Sequence, residues 1–203
     1  MRIAIEGNIG AGKSTFLQKL KKEVNDIVVI PEPVDEWNQN IVDGLPILEA
    51  FYKDPKRHAF VLQMIITLSR ARTISQTPNS SKIHIMERSL CADSDIFGKI
   101  ALENNNINTV EYNTICEWSK FMDNLFPIDL HVYLQVPAEV CFRRIQKRSR
   151  LGEENITLEY VQNLEKKYDT WYNNNRSRIM LINDNDDEEI ANIMKYVNTH
   201  NLL

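Results

Sequence analysis

The sequence predicts an α/β fold in which a parallel sheet is layered between helices, and three observations predict it. Short apolar runs alternate with longer segments of helical period, the pattern of strand and crossover helix. A glycine-rich loop separates the first apolar run from the first helical segment. Two of the apolar runs end at carboxylates, Glu32 and Glu87, and ligands in such sheets bind beyond the carboxyl ends of the strands.

In chain order, strands are expected at Arg2–Glu6, Ile27–Ile30, Lys82–Glu87, Asp129–Gln135 and Met180–Asn183, each short and apolar as strands buried on both faces are. Helices are expected near Lys13–Val24, Pro46–Tyr52, His58–Thr77, Cys91–Glu103, Val110–Leu125, Ala138–Arg148, Leu158–Asn173 and Asp187–Thr199. Asn-rich stretches at Glu103–Asn108 and Asn173–Asn175 read as turns or helix ends, and Asn183–Glu189 as a polar loop. No repeat or flexible linker divides the 203 residues, so one domain spanning 1–203 is expected.

Composition narrows the function classes. Hydrophobic residues make up 43% and charged residues 26%, and no run is long and apolar enough to cross a membrane. A net charge of −4 argues against a protein that holds nucleic acid by bulk attraction. The cysteines Cys91, Cys116 and Cys141 sit in apolar or helical segments without a pairing pattern, as buried thiols in a reducing compartment do. The glycine-rich loop begins at Gly7, which leaves no room for a leader before it, so a cytoplasmic location is expected.

That loop reads Gly7-Asn8-Ile9-Gly10-Ala11-Gly12-Lys13-Ser14, followed by Thr15, which is G-x-x-x-x-G-K-S between a strand and a helix. The context predicts a P-loop NTPase-type three-layer sandwich. Its backbone N–H groups and the positive end of the next helix cradle phosphates, Lys13 places a charge on the β- and γ-phosphates, and Ser14 offers a hydroxyl to Mg²⁺. A nucleoside triphosphate is therefore the expected ligand; the acceptor is not specified by this motif.

Glu87, at the end of its strand, stands where such enzymes hold magnesium, and the adjacent Arg88 is placed to bridge the transferring phosphoryl group and a second carboxylate. Glu32 is the candidate for that carboxylate. Pro31 and Pro33 flank it, stiffen its backbone and keep it out of a helix, which suits a group that orients and deprotonates a hydroxyl. The plainer alternative is a solvated loop acid. Gln63, Ile66 and Arg70 fall on one face of a helix, either lining a polar cavity or lying at the surface.

Taken together, Gly7–Thr15, Glu32-Pro33-Val34 with Trp37, Tyr52-Lys53-Asp54-Pro55, Gln63 and Glu87-Arg88-Ser89 resemble the deoxynucleoside kinase family, from Arg2 to about Asp187. The resemblance implies a five-stranded parallel sheet flanked by helices, a homodimer, ATP and Mg²⁺ as donor and cofactor, and a deoxynucleoside as acceptor. It implies Glu32 as general base, Arg88 steadying it, and Glu87 with Ser14 at the metal. It implies Tyr52 at the 3′-hydroxyl, Gln63 reading the base edge, Trp37 and Phe97 framing the base, and Ile9, Leu48 and Ile66 as apolar wall.

Arg143, Arg144, Lys147, Arg148 and Arg150 form a basic run before Gly152-Glu153-Glu154. By itself the run reads as a lid over a triphosphate or as a solvated basic face. The resemblance favours a lid over about 144–157, with Arg144, Arg148 and Arg150 on the phosphates and one glutamate at the 3′-hydroxyl. Alignment without gaps favours Glu153 and leaves Glu154 open. Arg70 and Asp93 match the deoxycytidine and deoxyguanosine kinase branch, which implies bases bearing an amino group rather than thymidine. Ser94-Asp95 departs from that branch, where relatives carry Arg and an aromatic. In relatives the loop matching Asn183–Asp187 touches the adenine of ATP. A nucleoside monophosphate kinase of thymidylate kinase type is the rival enzyme, although a carboxylate at Glu32 would repel an acceptor phosphate. A P-loop protein without catalysis is the other rival.

Overall fold

The computed structural model describes residues 1–77, 83–183 and 189–200. Five parallel strands form one sheet: β1 (Arg2–Gly7), β2 (Ile27–Ile30), β5 (Ile83–Glu87), β6 (Leu130–Gln135) and β7 (Ile179–Asn183), in the order β2-β5-β1-β6-β7. A small antiparallel hairpin, β3 (Ile41–Val42) and β4 (Leu45–Pro46), lies apart from it. The expected start of the third strand, Lys82, and of the last helix, Asp187, lie outside the described residues, as do the positions 184–188 of the expected polar loop.

β1 is the central strand, and the chain leaves it first toward β2 and later toward β6 and β7 on the other side. That reversal of direction opens the crevice at the carboxyl end of β1, where the glycine-rich loop sits. The strands at the centre of the sheet are buried as expected, with Ile3, Ala4 and Ile5 fully inaccessible, but edge strand β2 is half-buried over Ile27–Val29.

One face of the sheet packs on α1 (Lys13–Glu23) through Phe16, Leu17 and Leu20, and on α10 (Glu189–His200) through Ile193. Residues 16, 17 and 20 share one helical stripe, while Lys19, Lys21 and Lys22 face water. The other face is covered by α4 (Pro55–Gln76), by α5 (Leu90–Ala92), α6 (Lys99–Glu103) and the turn between them, and by α9 (Leu158–Asn174). Farther out lie α2 (Val34–Trp37), α3 (Ile47–Lys53), α7 (Thr109–Leu125) and α8 (Ala138–Arg148).

Three expectations are corrected. α4 begins at Pro55 rather than His58, because Asp54 caps it by accepting from Arg57 N at 3.2 Å and proline suits the first helical position. The segment 91–103 is not one α-helix: between α5 and α6 the residues Asp93–Gly98 form a π-helical turn, which admits an extra residue and re-aims the side chains around it. Only Cys141 is a buried thiol; Cys91 and Cys116 are half-buried, and none of the three forms a disulfide. Among the described residues no helix is long and apolar enough to cross a membrane.

Candidate active site

The glycine-rich loop is shaped by close approach. Gly10 has φ +79°, and a Cβ there would lie 2.4 Å from the carbonyl oxygen of Cys141 on α8. Glycine is thus required by both backbone conformation and space. Asn8 ties the loop to α9, donating through Nδ2 to Val161 O at 2.9 Å and accepting from Ile9 N at 2.8 Å. α1 starts after Gly12 with no side chain capping its N–H groups, which leaves them to an anion.

Lys13 is buried and donates to Asn8 O at 2.9 Å, with Glu87 at 3.9 Å. Burial, reinforced by Arg88, holds its ammonium down at about 8, a charge that an incoming polyphosphate compensates. Ser14 Oγ donates to Glu87 Oε2 at 2.9 Å. This hydroxyl and carboxylate, side by side at the end of β5, are the hard oxygen donors that Mg²⁺ takes.

Beyond β2 and β5 a second network is assembled around Glu32. Its Oε1 accepts from Arg70 Nη2 at 2.5 Å and lies 3.0 Å from Arg88 Nε. Burial would raise this carboxyl, but Arg88, then Arg70 and Lys13, pull it down to about 2, so it is ionised. Arg70 also reaches Glu87 O at 2.7 Å and Asp93 Oδ2 at 3.3 Å. Burial, with Glu32 and Glu6 adding to it, lifts Asp93 to about 6 against the pull of Arg70. Arg88 has φ +64° at the strand end, donates to Gly7 O at 2.8 Å and to the Tyr168 hydroxyl, and stands 4.8 Å over the Phe97 ring. Trp37 is fixed by its indole N–H on Ser69 Oγ at 2.6 Å.

These groups open on one cavity of about 500 Å³. It is lined by Lys13, Ser14, Glu32, Glu87 and Arg88 at the end next to the glycine-rich loop. Trp37, Leu48, Tyr52, Gln63, Ile66, Arg70, Asp93 and Phe97 line the remainder, together with Ile9 and Gly10. Gln63 is buried, and its Oε1 has no hydrogen-bond partner among the described residues. The shared face of Gln63, Ile66 and Arg70 therefore turns inward on the cavity.

The residues expected to form a lid divide. Arg148, Arg150 and Glu153 line the same cavity, with Glu153 buried and 2.7 Å from Arg148 and 3.6 Å from Arg150, while Glu154 is exposed. Arg144 instead lines a neighbouring cleft of about 330 Å³ with Ala11, Gly12, Thr15 and Asn183, and its Nη1 donates to Ala11 O at 3.3 Å. The left-handed Ser149 after α8 separates the two directions. Gly152, at φ +88°, lets the lid touch α3: a Cβ there would be 2.9 Å from Glu49 Cα.

Several cavity residues carry no motif that singles them out in the sequence. Phe51, Leu62 and Tyr160 add apolar wall, and Asn106 adds a polar edge. Phe51 and Tyr160 stand beside or within segments that the resemblance marks, whereas Asn106 sits in an Asn-rich run whose composition suggests only a turn. Glu6, fully buried, accepts from Ser89 N at 2.7 Å and so pins the turn that carries Arg88. A carboxylate inside an apolar strand is the signal that would have marked it.

Residues 3–201 match the family described as deoxynucleoside kinase. The chain is 34% identical to deoxycytidine kinase 2 of Gallus gallus over 194 residues, covering 84% of this chain and 73% of that protein. It is 33% identical to deoxycytidine kinase of Homo sapiens over 193 residues, covering 84% and 74%. It is 29% identical to the mitochondrial deoxyguanosine kinase of Xenopus laevis over 203 residues, covering 90% and 77%.

Proposed function

The chain belongs to the deoxynucleoside kinase family, and from that premise we propose that it transfers the γ-phosphoryl group of ATP to the 5′-hydroxyl of a deoxynucleoside, with amino-bearing bases preferred over thymidine. The carrying observation is the ionised Glu32, held between Arg70 and Arg88 at 2.5 and 3.0 Å and facing the same cavity as Lys13.

In this reading the 5′-hydroxyl hydrogen-bonds to Glu32, which takes its proton as the new O–P bond forms. Arg88 holds Glu32 and faces the transferring group, while Lys13, the loop amides, Arg144, Arg148 and Arg150 stabilise charge on the phosphates. Ser14 and Glu87 hold Mg²⁺, which neutralises phosphate charge when bound. Tyr52 and Glu153 take the 3′-hydroxyl, Gln63 the base edge, and Trp37, Leu48, Ile66 and Phe97 the base faces. Asp93 accepts from an exocyclic amino group, and Arg70, 3.3 Å away, holds it there and crowds a thymine methyl. The relatives named for deoxycytidine and deoxyguanosine support this preference. The product is a deoxynucleoside monophosphate, made in nucleotide salvage, and cysteines outside any disulfide suit a reducing, cytoplasmic setting.

The functional unit is a homodimer in this reading. α4 exposes Val61 and Leu68, and neighbouring α7 exposes Val110, Trp118, Phe121 and Leu125, an apolar surface that a second copy would cover. Light scattering over a dilution series that finds only monomer would contradict it.

The activity is tested by ADP release from ATP and Mg²⁺ against the four deoxynucleosides and their monophosphates. Turnover of deoxycytidine, deoxyguanosine or deoxyadenosine above thymidine is expected. Turnover of monophosphates alone would rule Glu32 out as the general base.

A further inference from the structure

Arg88 is held by more than its partners in the cavity. Its Nε faces Glu32, and its Nη1 donates twice, to Gly7 O and to the hydroxyl of Tyr168. Among the described residues these contacts occupy Nε and Nη1, so the orientation of the planar guanidinium is set, and with it the direction of Nη2. Two of the three partners belong to the proposed reacting region itself: Glu32, the ion-pair partner, is the acceptor-side carboxylate and Gly7 opens the phosphate loop. Tyr168 does not line the cavity, and no sequence motif marks it.

Its ring is nevertheless enclosed on several sides. Tyr168 is fully buried on α9, stacks on Tyr133 with centroids 5.5 Å apart and planes at 15°, and meets the Trp171 ring edge-on at 6.3 Å. A phenol packed in this way has one place for its oxygen. Burial pushes the hydroxyl well above its ordinary range, so it remains a neutral acceptor throughout the working pH range. α9 also carries Val161, whose carbonyl holds Asn8 of the phosphate loop at 2.9 Å, and begins directly after the lid. One helix thus fixes both the loop and the arginine across from it.

We propose that Tyr168 is a positioning residue for the phosphoryl transfer: with Gly7 O and Glu32 it completes a three-point mount that aims the free edge of Arg88 at the transferring group. The inference rests on Arg88 facing that group in the proposed reaction. Tyr168 touches neither substrate, so its loss acts on turnover rather than on binding.

The test is a kinetic double-mutant cycle with Tyr168→Phe and Arg88→Lys, with melting curves confirming folded protein. Tyr168→Phe keeps the stacked ring and removes only the acceptor. The expected result is a kcat lower by about tenfold, with both KM values within about twofold of wild type, since small misplacements of a reacting group act on turnover. In the Arg88→Lys background, which has already lost the planar fork, adding Tyr168→Phe is expected to change kcat by less than about twofold. Tyr133→Phe removes another hydroxyl from the same stack without touching Arg88, and is expected to keep wild-type kcat. Three results would overturn the proposal: wild-type kcat in Tyr168→Phe, an equal loss in both backgrounds, or the same loss in Tyr133→Phe. If Arg88→Lys itself keeps full turnover, the role of Arg88 fails and the inference goes with it. If Arg88→Lys is crippled while Tyr168→Phe is normal, only the inference fails.

Discussion

The Glu32 network and the Arg148–Glu153 segment, proposed as acceptor side and lid, solve the same electrostatic problem in opposite ways. On the acceptor side, the Arg70, Arg88 and Asp93 side chains are at most 6% exposed and Glu32 is 15% exposed, and every charge is already met by a fixed partner. In the lid, Arg148 and Arg150 are 36% and 38% exposed, and the partner they share is the lid's own Glu153. A buried ion network loses several kcal/mol per charge if it is left half-built, so it must be complete before ligand arrives. A half-exposed arginine is screened by water and can exchange one anion for another at little cost. The Glu32 network is therefore preorganised, whereas Arg148 and Arg150 are self-neutralised and, in the proposed reaction, would trade Glu153 for phosphate.

Removing Glu32 is the strongest way to break that contrast. Glu32→Gln is expected to lower kcat by about 10³-fold in steady-state assays at saturating ATP, the range for loss of a general base. A loss under tenfold would mean that the preorganised side does no chemistry. Arg148→Ala should lower kcat by about 10²-fold, as loss of one charge stabiliser does. Because Glu32, Arg70, Asp93 and Tyr52 keep their places on the cavity without Arg148, deoxynucleoside affinity measured by calorimetry without ATP should change by less than about threefold. An equal collapse of nucleoside binding would show that the two regions are not separable.

Smaller effects sharpen the picture on the acceptor side. Replacing the ion pair with apolar groups, Arg70→Met with Asp93→Ala, is expected to cut the ratio of kcat/KM for deoxycytidine over thymidine by about tenfold, since a base amino group would lose its acceptor. The mildest effect is on pH. With Asp93 lifted to about 6, protonation below that value removes the acceptor. KM for an amino-bearing nucleoside should therefore rise by about fourfold as pH falls from about 7.5 to about 5.5, with little change for thymidine. The sign for stability is the reverse. This carboxyl binds its proton more tightly folded than unfolded, so its contribution to stability is greatest below its ordinary value of 3.8 and declines as pH rises through about 6. Melting temperatures of wild type and Asp93→Asn, compared at about pH 4.5 and about pH 7, read that difference.

The same contrast governs what could be read from sequence. Phosphate-loop glycines and strand-end carboxylates are legible because backbone geometry and chemistry demand those residues at fixed spacing, as Gly10 against Cys141 demonstrates. The strands were legible because apolar runs between turn signals have few other uses. The π-helical turn at Asp93–Gly98 was not, since its sequence has ordinary helical character and the extra residue is tolerated only because the fold packs it against α7 and α9. The start of α4 was missed although Asp54-Pro55 carried a capping signal. The hairpin at Ile41–Pro46 involves strands too short for any period to show. Tyr168 was hidden for another reason: in an aromatic-rich helix a tyrosine is indistinguishable from core until its oxygen is located.

The strand order has a consequence in time. β1 precedes β5 and β6 in the chain, yet these are its partners, with Arg2 beside His84 and Ile3 beside Leu130. Both faces of its hydrogen-bonding ladder must wait for chain that is made much later, and pairings of such long sequence separation are slow to form. The phosphate loop that follows β1 is therefore translated before the strands that complete its surroundings. Competence to bind nucleotide would mark the end of folding, and a triphosphate at cellular concentration would pull the late intermediates toward the native state.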